Sequence, residues 1–296
     1  MTLRATLLTA TTLAALCVAG TAARADIIIS ANNAAFGNGP ITTYNFTTGA
    51  FVGSFIPDGA IGGGANGRGL AVTNNEFFYT ELIGGFGASD GIHIAPYNNG
   101  NGGHDIGLFA NPAPGQGIQA LAFGAAGLYV LTGYPSSPPT VYLLNATTGA
   151  TISVIPLQQP PADSHQDGFT VLHDGTFIGN TGDGLNNYVH YDASGNLIAG
   201  APFPISNTVL GISTGVDISP DGMSLFFASN FNSFVQTDLA GNFIASISAP
   251  MGSGGFEDIG VQQPFTPPPP GLPEPASLLL LGAGLAGLGL ARRKRA

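Results

Sequence analysis

The chain has 296 residues, of which only 8% are charged, and its formal net charge is −10. It contains 45 Gly and 22 Pro but one Cys and no Trp. So few charges exclude a coiled coil or a helical repeat, and the acidic balance excludes a nucleic-acid-binding surface.

The N-terminus has the three parts of a secretory signal peptide. Arg4 precedes a short apolar run, Leu7 to Val18, and Ala23 and Ala25 form an A-x-A site for signal peptidase. We therefore expect residues 1–25 to be removed. An N-terminal membrane anchor is the alternative, although the apolar run is short for one.

The body that follows, residues 26–263, is strongly acidic and has no thiol. It holds one basic residue, Arg68, and sixteen of the 17 acidic residues, so its formal net charge is −15. Such a surface repels phosphate backbones and anionic headgroups, and it suits either simple solubility or contact with cations and basic partners. The single Cys17 lies in the leader, so disulfides, cysteine metal sites and thiol nucleophiles are excluded from the mature chain.

Two strand units alternate along the body. In the first, a strand and a tight turn lead into a hydrophobic strand, at 70–80, 121–132, 170–180 and 216–229. In the second, a turn that ends in Gly joins two strands, at 44–55, 142–155, 191–199 and 237–247, with a looser copy at 92–109. One pair of units makes a four-stranded meander that cannot bury both faces alone, so we expect the pairs to stack into a ring.

The spacing of these units predicts five blades. Equivalent positions are 51, 49, 46 and 43 residues apart; they are Ala71, Ala122, Val171, Asp217 and Gly260. The strand at Ile259–Val261 has no continuation, and the missing strands follow Asp26. We therefore predict an all-β fold, a β-propeller of five four-stranded blades in which N- and C-terminal strands close one blade. A jelly roll or a β-helix is the alternative.

One blade resembles a known class of propeller repeat. The unit Ser219-Pro220-Asp221-Gly222, followed by residues 225–247, is similar to YVTN/NHL repeats, with partial matches around Tyr142 and Tyr191. The resemblance implies the fold and transfers no activity, because propellers carry many functions.

The composition changes at Pro264. Residues 264–272 are rich in proline and predict a stiff linker. An uncharged apolar segment, Ala276 to Ala291, follows the motif Pro273-Glu274-Pro275. As a helix the segment measures about 24 Å, short for a transmembrane helix. The chain ends in a basic cluster that should stay cytoplasmic; its members are Arg292, Arg293, Lys294 and Arg295.

These elements, in this order, resemble the PEP-CTERM sorting signal of Gram-negative bacteria. The resemblance implies cleavage near Pro273-Glu274-Pro275 by an exosortase after transient insertion in the inner membrane, followed by delivery to the cell surface or extracellular matrix, with exopolysaccharide as a potential partner. An ordinary C-terminal anchor is the alternative. The predicted domains are then the signal peptide 1–25, the propeller 26–263, the linker 264–272 and the sorting signal 273–296.

The candidate ligand site is a mouth of the propeller channel. The residues just before the innermost strands should surround it; they are Arg68, Gln119, Asp167, Thr214, Glu257 and Asp258. An Arg at this place can hold a carboxylate or a sugar acid. The alternative is an ion pair of Arg68 with Glu257 or Asp258 that braces the ring closure.

Signals for metal or catalytic chemistry are weak. Each of His165, His173 and His190 lies near an Asp, but two of these pairs fall in or near turns. Oxygen ligands for Ca²⁺ could come from Asn180, Asp183, Asn186 and Asn187. Because no D-x-D-x-D-G loop is present, we expect a plain Asx-rich turn and predict no cofactor. The motifs G-x-G-x-x-G at 62–67 and G-x-S-x-G at 211–215 precede strands rather than the helices that their chemistry needs.

The sequence therefore favours an exported, non-enzymatic binding or interaction protein of the envelope or exopolysaccharide. One alternative is a propeller hydrolase of the lactonase type. It would need a metal held at the channel mouth by Glu257, Asp258, Asp167 and Asn180 or Asn230. The other alternative is a purely structural matrix protein.

Overall fold

The computed structural model describes the body in segments. They are residues 26–33, 40–57, 65–82, 89–102, 106–134, 139–158, 168–180, 187–198, 203–204, 213–229, 233–249 and 256–264. The predicted leader and the tail from residue 265 onward lie outside them, so the apolar segment and the sorting motif receive no structural description. Throughout the described segments the regular structure is β-strand.

The strands form five antiparallel sheets, which are the predicted blades. Blade 1 contains β1 (Ile28–Asn33), β2 (Ile41–Asn45), β3 (Phe51–Phe55) and β21 (Phe256–Val261). Blade 2 contains β4 (Ala65–Val72), β5 (Glu76–Leu82), β6 (Ser89–Asn98), β7 (Asn101–Gly102) and β8 (Leu108–Ala110). Blade 3 contains β9 (Gly117–Gly124), β10 (Gly127–Tyr134), β11 (Thr140–Leu144) and β12 (Thr151–Pro156).

The last two blades repeat the meander. Blade 4 contains β13 (Phe169–Val171), β14 (Phe177–Asn180), β15 (Asn187–Tyr191) and β16 (Phe203–Pro204). Blade 5 contains β17 (Ser213–Ile218), β18 (Ser224–Ser229), β19 (Ser233–Asp238) and β20 (Phe243–Ser248). The prediction of five blades is confirmed, and four of them have four strands.

The innermost strands form a closed ring. Strand β21 contacts β4, and contacts continue from β4 to β9, from β9 to β13, from β13 to β17 and from β17 back to β21. Blade 1 is closed by the two ends of the body, since β1 pairs antiparallel with β21 in the register Ile29↔Val261. The predicted closure by N- and C-terminal strands is therefore confirmed.

Each interface between neighbouring blades holds one apolar cluster of the described residues. The cluster between blades 5 and 1 includes Phe234 and Phe256, whose rings stack with centroids 4.9 Å apart. Because each blade faces two neighbours, both of its faces are buried, which is why the ring is the stable unit.

The inner strands approach each other very closely. A Cβ at Gly215 in β17 would lie 2.7 Å from the Cα of Asp258 in β21. Such a distance leaves no room for a side chain, so part of the high glycine content follows from the narrow ring.

The repeated turns follow from their sequence. In the turn before β12, the Asn145 Oδ1 accepts hydrogen bonds from the backbone N–H groups of Thr147 and Thr148, each at 2.9 Å. Gly149 then takes a φ of +70°, a left-handed conformation that favours glycine. Asn45 starts the same turn in blade 1, which explains the repeated N-x-T-T-G pattern.

Candidate functional site

The ring has two faces, which we name by the direction of the inner strands. All five inner strands begin on the distal face and end on the tail face, where the chain leaves the propeller at Pro264. The turns that join the first strand of a blade to the second lie on the tail face, as do the turns that join the third strand to the fourth. The predicted mouth residues belong to the distal side.

Arg68 and Gln119 meet on the distal side. Arg68 lies in β4 where the pairing with β5 is irregular, between Asn66 and Leu70. Its Nη1 donates a hydrogen bond of 3.3 Å to the Oε1 of Gln119 in β9. The contact joins blades 2 and 3, so two of the predicted site residues are brought together.

The other predicted mouth residues are placed only in part. Thr214 lies in β17 and Glu257 in β21, but their side chains are not described. Asp167 falls in an undescribed segment. Their role in a ligand site stays a prediction.

Asp258 is buried inside the ring rather than open at its mouth. Its side chain is 0% exposed. One carboxyl oxygen accepts the backbone N–H of Leu70 at 2.7 Å, and the other accepts that of Ile259 at 2.9 Å. Burial raises the pKa of Asp258 well above its usual value, and the nearby Asp217 adds to the rise. These contacts brace blade 1 against blade 2.

Asp217 connects blades 5 and 1 in the same way, through hydrogen bonds to its carboxyl group. Its Oδ2 accepts the backbone N–H of Val261 at 2.8 Å, and its Oδ1 accepts from Ile218 and from the hydroxyl of Thr170, also at 2.8 Å. Burial raises the pKa of Asp217 to about 7. Sequence reasoning missed this role, although the shared Asp-Ile pair at 217–218 and 258–259 was a usable signal.

A cavity of about 410 Å³ opens on the tail face. It lies where blades 3, 4 and 5 meet the two residues that end the described body, and it is lined by Phe123, Gly124, Ala125, His173, Pro220, Gln263 and Pro264. The ring of Phe123 packs on Phe78 in the cluster between blades 2 and 3, so the side chains of the lining are two prolines and an alanine with one imidazole and one amide. That mixture of apolar walls and few polar groups is typical of a small-molecule site.

Two contacts hold the polar groups of this cavity in place. The Gln263 Nε2 donates to the carbonyl of Ile218 at 2.7 Å, and its backbone N–H donates to Val72 at 3.0 Å. His173 lies against Gly222, where a Cβ would come within 2.5 Å of the imidazole Nδ1. Sequence reasoning assigned His173 to a solvated turn; its part in the cavity depends on the fold, and the sequence carries no signal for it.

The His–Asp pairs contribute to turns. Asp174 accepts the backbone N–H and the hydroxyl of Thr176, at 3.0 and 2.7 Å, and these bonds lower its pKa. Burial lowers the pKa of His190, while the charge of Asp174 opposes that shift. The acidic residue whose charge acts on His190 is therefore Asp174, in the turn before the neighbouring strand β14. The pair His165 and Asp167 lies outside the described residues.

The residues proposed for metal binding are separated by undescribed segments. Asn180 ends β14 and Asn187 begins β15, whereas Asp183, Asn186 and Asn230 are not described. Within the described segments there is no group of three or more His, Cys, Asp or Glu that could hold a metal ion. Backbone amides donate to both oxygens of Asp258. Of the other residues that the hydrolase alternative needs, Asp167, Asn230 and the side chain of Glu257 are not described.

The comparisons with known proteins concern the tail and the fold. Residues 272–295 match the model of the PEP-CTERM protein-sorting motif. No curated protein matches the chain. A solved structure, the crystal structure of a nidogen/laminin complex, contains a chain 12% identical with a TM-score of 0.48; the match covers 79% of this chain and 97% of that one. Similarity at this level carries no information on ligand or activity.

The motif indicates export, transient membrane anchoring and processing by an exosortase and a signal peptidase. Over the part of the chain that the structure describes, no helix is both long and apolar enough to cross a membrane. The apolar segment at 276–291 is not among those residues. The chain is thus a five-bladed β-propeller that carries a PEP-CTERM protein-sorting motif at residues 272–295.

Proposed function

We propose that this protein is an exported binding protein that holds a neutral sugar unit of an exopolysaccharide in the cavity on the tail face. The observation that carries the proposal is the cavity itself, which is large enough for one or two sugar rings at about 410 Å³. The pyrrolidine rings of Pro220 and Pro264 offer apolar surfaces for the C–H faces of a sugar. Gln263 and His173 offer hydrogen bonds to its hydroxyl groups.

The charges around the cavity favour a neutral ligand. Among the described residues that line it, there is no Asp, Glu, Lys or Arg. Asp174 and Asp221 are exposed next to the lining residues His173 and Pro220. Two carboxylates at the rim, in a body of net charge −15, repel polysaccharides that carry uronic acids, sulfate or phosphate.

The sorting motif supports this location for the ligand. A protein sent through the envelope by a cleavable tail reaches the compartment where exopolysaccharide accumulates. Binding to that polymer would retain the body at the cell surface or in the matrix after the tail is cut. A purely structural protein would be retained there without binding a soluble fragment of the polymer.

Filling the cavity with a larger side chain tests the proposal. Ala125 lines the cavity, whereas Ala126, its neighbour in the same exposed turn, does not. Titration calorimetry of the mature chain in detergent, with neutral fragments of the host exopolysaccharide, should detect binding that Ala125→Phe abolishes and Ala126→Phe retains. Uniform absence of binding, or equal loss in both variants, would overturn the proposal.

A further inference from the structure

The two residues that follow β21 are fastened to three blades. The backbone N–H of Gln262 donates to the carbonyl of Ile28 in blade 1 at 2.9 Å, and that of Gln263 donates to the carbonyl of Val72 in blade 2 at 3.0 Å. The side chain of Gln263 reaches blade 5, where its Nε2 donates to the carbonyl of Ile218 at 2.7 Å. Because blades 2 and 5 are the two neighbours of blade 1, Gln263 is held from both sides.

These contacts fix the orientation of the side-chain amide of Gln263. The carbonyl oxygen of Ile218 accepts hydrogen bonds and cannot donate them, so reversing the amide would set two acceptor oxygens against each other at 2.7 Å. Gln263 is also only 8% exposed, which leaves its side chain little room for another conformation. The amide is therefore preorganised, with Nε2 committed to Ile218 and Oε1 in a fixed place.

The Oε1 of Gln263 is the acceptor that remains for a ligand. Among the described residues, no group donates a hydrogen bond to it. Solvent can still reach this oxygen, and Gln263 lines the cavity on the tail face. A carboxamide oxygen accepts and does not donate, so a ligand has to present a donor at this place.

We propose that Gln263 sets the specificity of the cavity: its Oε1 accepts a hydrogen bond from one free hydroxyl group of the sugar. A sugar whose hydroxyl at that position is missing, O-methylated or O-acetylated is then rejected. This inference rests on the proposed function, because it assigns one contact within the proposed sugar site. Losing the donor is costly, since a bound ligand shields the fixed acceptor from water and leaves it unpaired.

A combined change of ligand and protein tests this contact. The probes are the methyl glycosides of glucose, galactose and mannose, together with each of their monodeoxy derivatives. Their dissociation constants are measured by ligand-observed NMR titration of the mature chain in detergent. Gln263→Met keeps the length of the side chain and removes the amide. Gln262→Met is the matched control, because Gln262 is the preceding residue and is not one of the described residues that line the cavity.

The effect of one hydroxyl should depend on Gln263. In the wild-type chain, removing that hydroxyl should weaken binding about tenfold or more, and removing any other should weaken it less. The same removal should change the affinity by less than about twofold in Gln263→Met, whereas Gln262→Met should keep the full effect. If Gln263 only supported the cavity wall, Gln263→Met would weaken all probes equally and keep the tenfold ratio, which would overturn the proposal.

Fluorinated probes give a second test that needs only the wild-type chain. Fluorine in place of the hydroxyl accepts weakly and cannot donate, so the monodeoxyfluoro derivative should bind no better than the monodeoxy one. Recovery of the affinity by fluorine would show that a donor recognises this position, and would contradict the role of Oε1.

The outcomes separate this inference from the function on which it rests. If no probe binds the wild-type chain, the proposed function and the inference both fail. If the probes bind, Ala125→Phe abolishes their binding and the hydroxyl preference survives Gln263→Met, only the inference fails.

Discussion

At the scale of single residues, two buried carboxyl groups connect the inner strands. Asp217 and Asp258 each accept the N–H of the following Ile with one oxygen and the N–H of a neighbouring blade with the other. The sequence predicted Asp258 at the channel mouth because it lies just before the inner strand expected at Ile259–Val261. Its partner Leu70 is 188 positions away in the chain, so no local pattern could show the contact.

This burial makes stability depend on pH. The pKa of Asp217 is raised to about 7 in the folded protein, against about 3.9 in the unfolded chain. Between these values the folded state holds the extra proton, so the contribution of Asp217 to stability is fully present below its unfolded pKa and is lost as pH rises through its folded pKa of about 7. The contribution of Asp217 to the free energy of unfolding in urea should therefore decrease from about pH 5 to about pH 7, by at most about 1.4 kcal/mol per pH unit.

Asp217→Asn should reduce that slope, because it removes the titrating group. Asp238→Asn is the control: Asp238 lies in a turn, and hydrogen bonds from Asn242 lower its pKa, so it titrates below this pH range. An undiminished slope in Asp217→Asn would show that Asp217 is ionised in the folded protein throughout.

At the scale of elements, the strands and turns were predictable and their exact partners were not. The Gly-terminated turns and their spacing predicted the meanders, because left-handed positions and short polar turns have local sequence signatures. The irregular β7 and β8, and the short β16, carry no such signature. The tail-face cavity was not predictable either, since its walls come from three blades and from the two residues that follow β21 and Gln262.

Closure of the ring should depend on the contact between blades 5 and 1. Phe256 is fully buried in β21 and stacks on Phe234. Phe256→Ala should lower the free energy of unfolding by about 3–5 kcal/mol, because it leaves a cavity at the closing interface. Phe243 lies on the outermost strand of blade 5 and is 48% exposed. The same truncation there should cost far less, and equal costs in chemical denaturation would argue against closure at this interface.

At the scale of the whole molecule, a globular body is joined to two sorting segments. The order of a Pro-Glu-Pro motif, an apolar segment and a basic cluster made the sorting motif recognisable, and residues 272–295 match its model. The ligand of the body could not be read in the same way, because propellers of similar architecture carry unrelated functions.

The motif should control release from the membrane. Replacing Pro273, Glu274 and Pro275 together by Ala should leave the precursor in the inner-membrane fraction of its host, since the processing enzyme loses its recognition sequence. Replacing Pro267 to Pro270 by Ala changes the linker without touching the motif, and release should continue. Cell fractionation with detection of the body measures the release. Normal release of the motif variant would contradict this account.

The absence of tryptophan allows a direct test of the cavity as the ligand site. Ala126→Trp places a single indole beside the cavity, in the exposed turn that also holds the lining residue Ala125, and Phe243→Trp places one on the outermost strand of blade 5. On titration with the neutral exopolysaccharide fragment, we expect the emission of Trp to shift and saturate in Ala126→Trp and to stay constant in Phe243→Trp, with both variants folded by circular dichroism. Binding that leaves the emission of Ala126→Trp unchanged would place the ligand elsewhere and contradict the account.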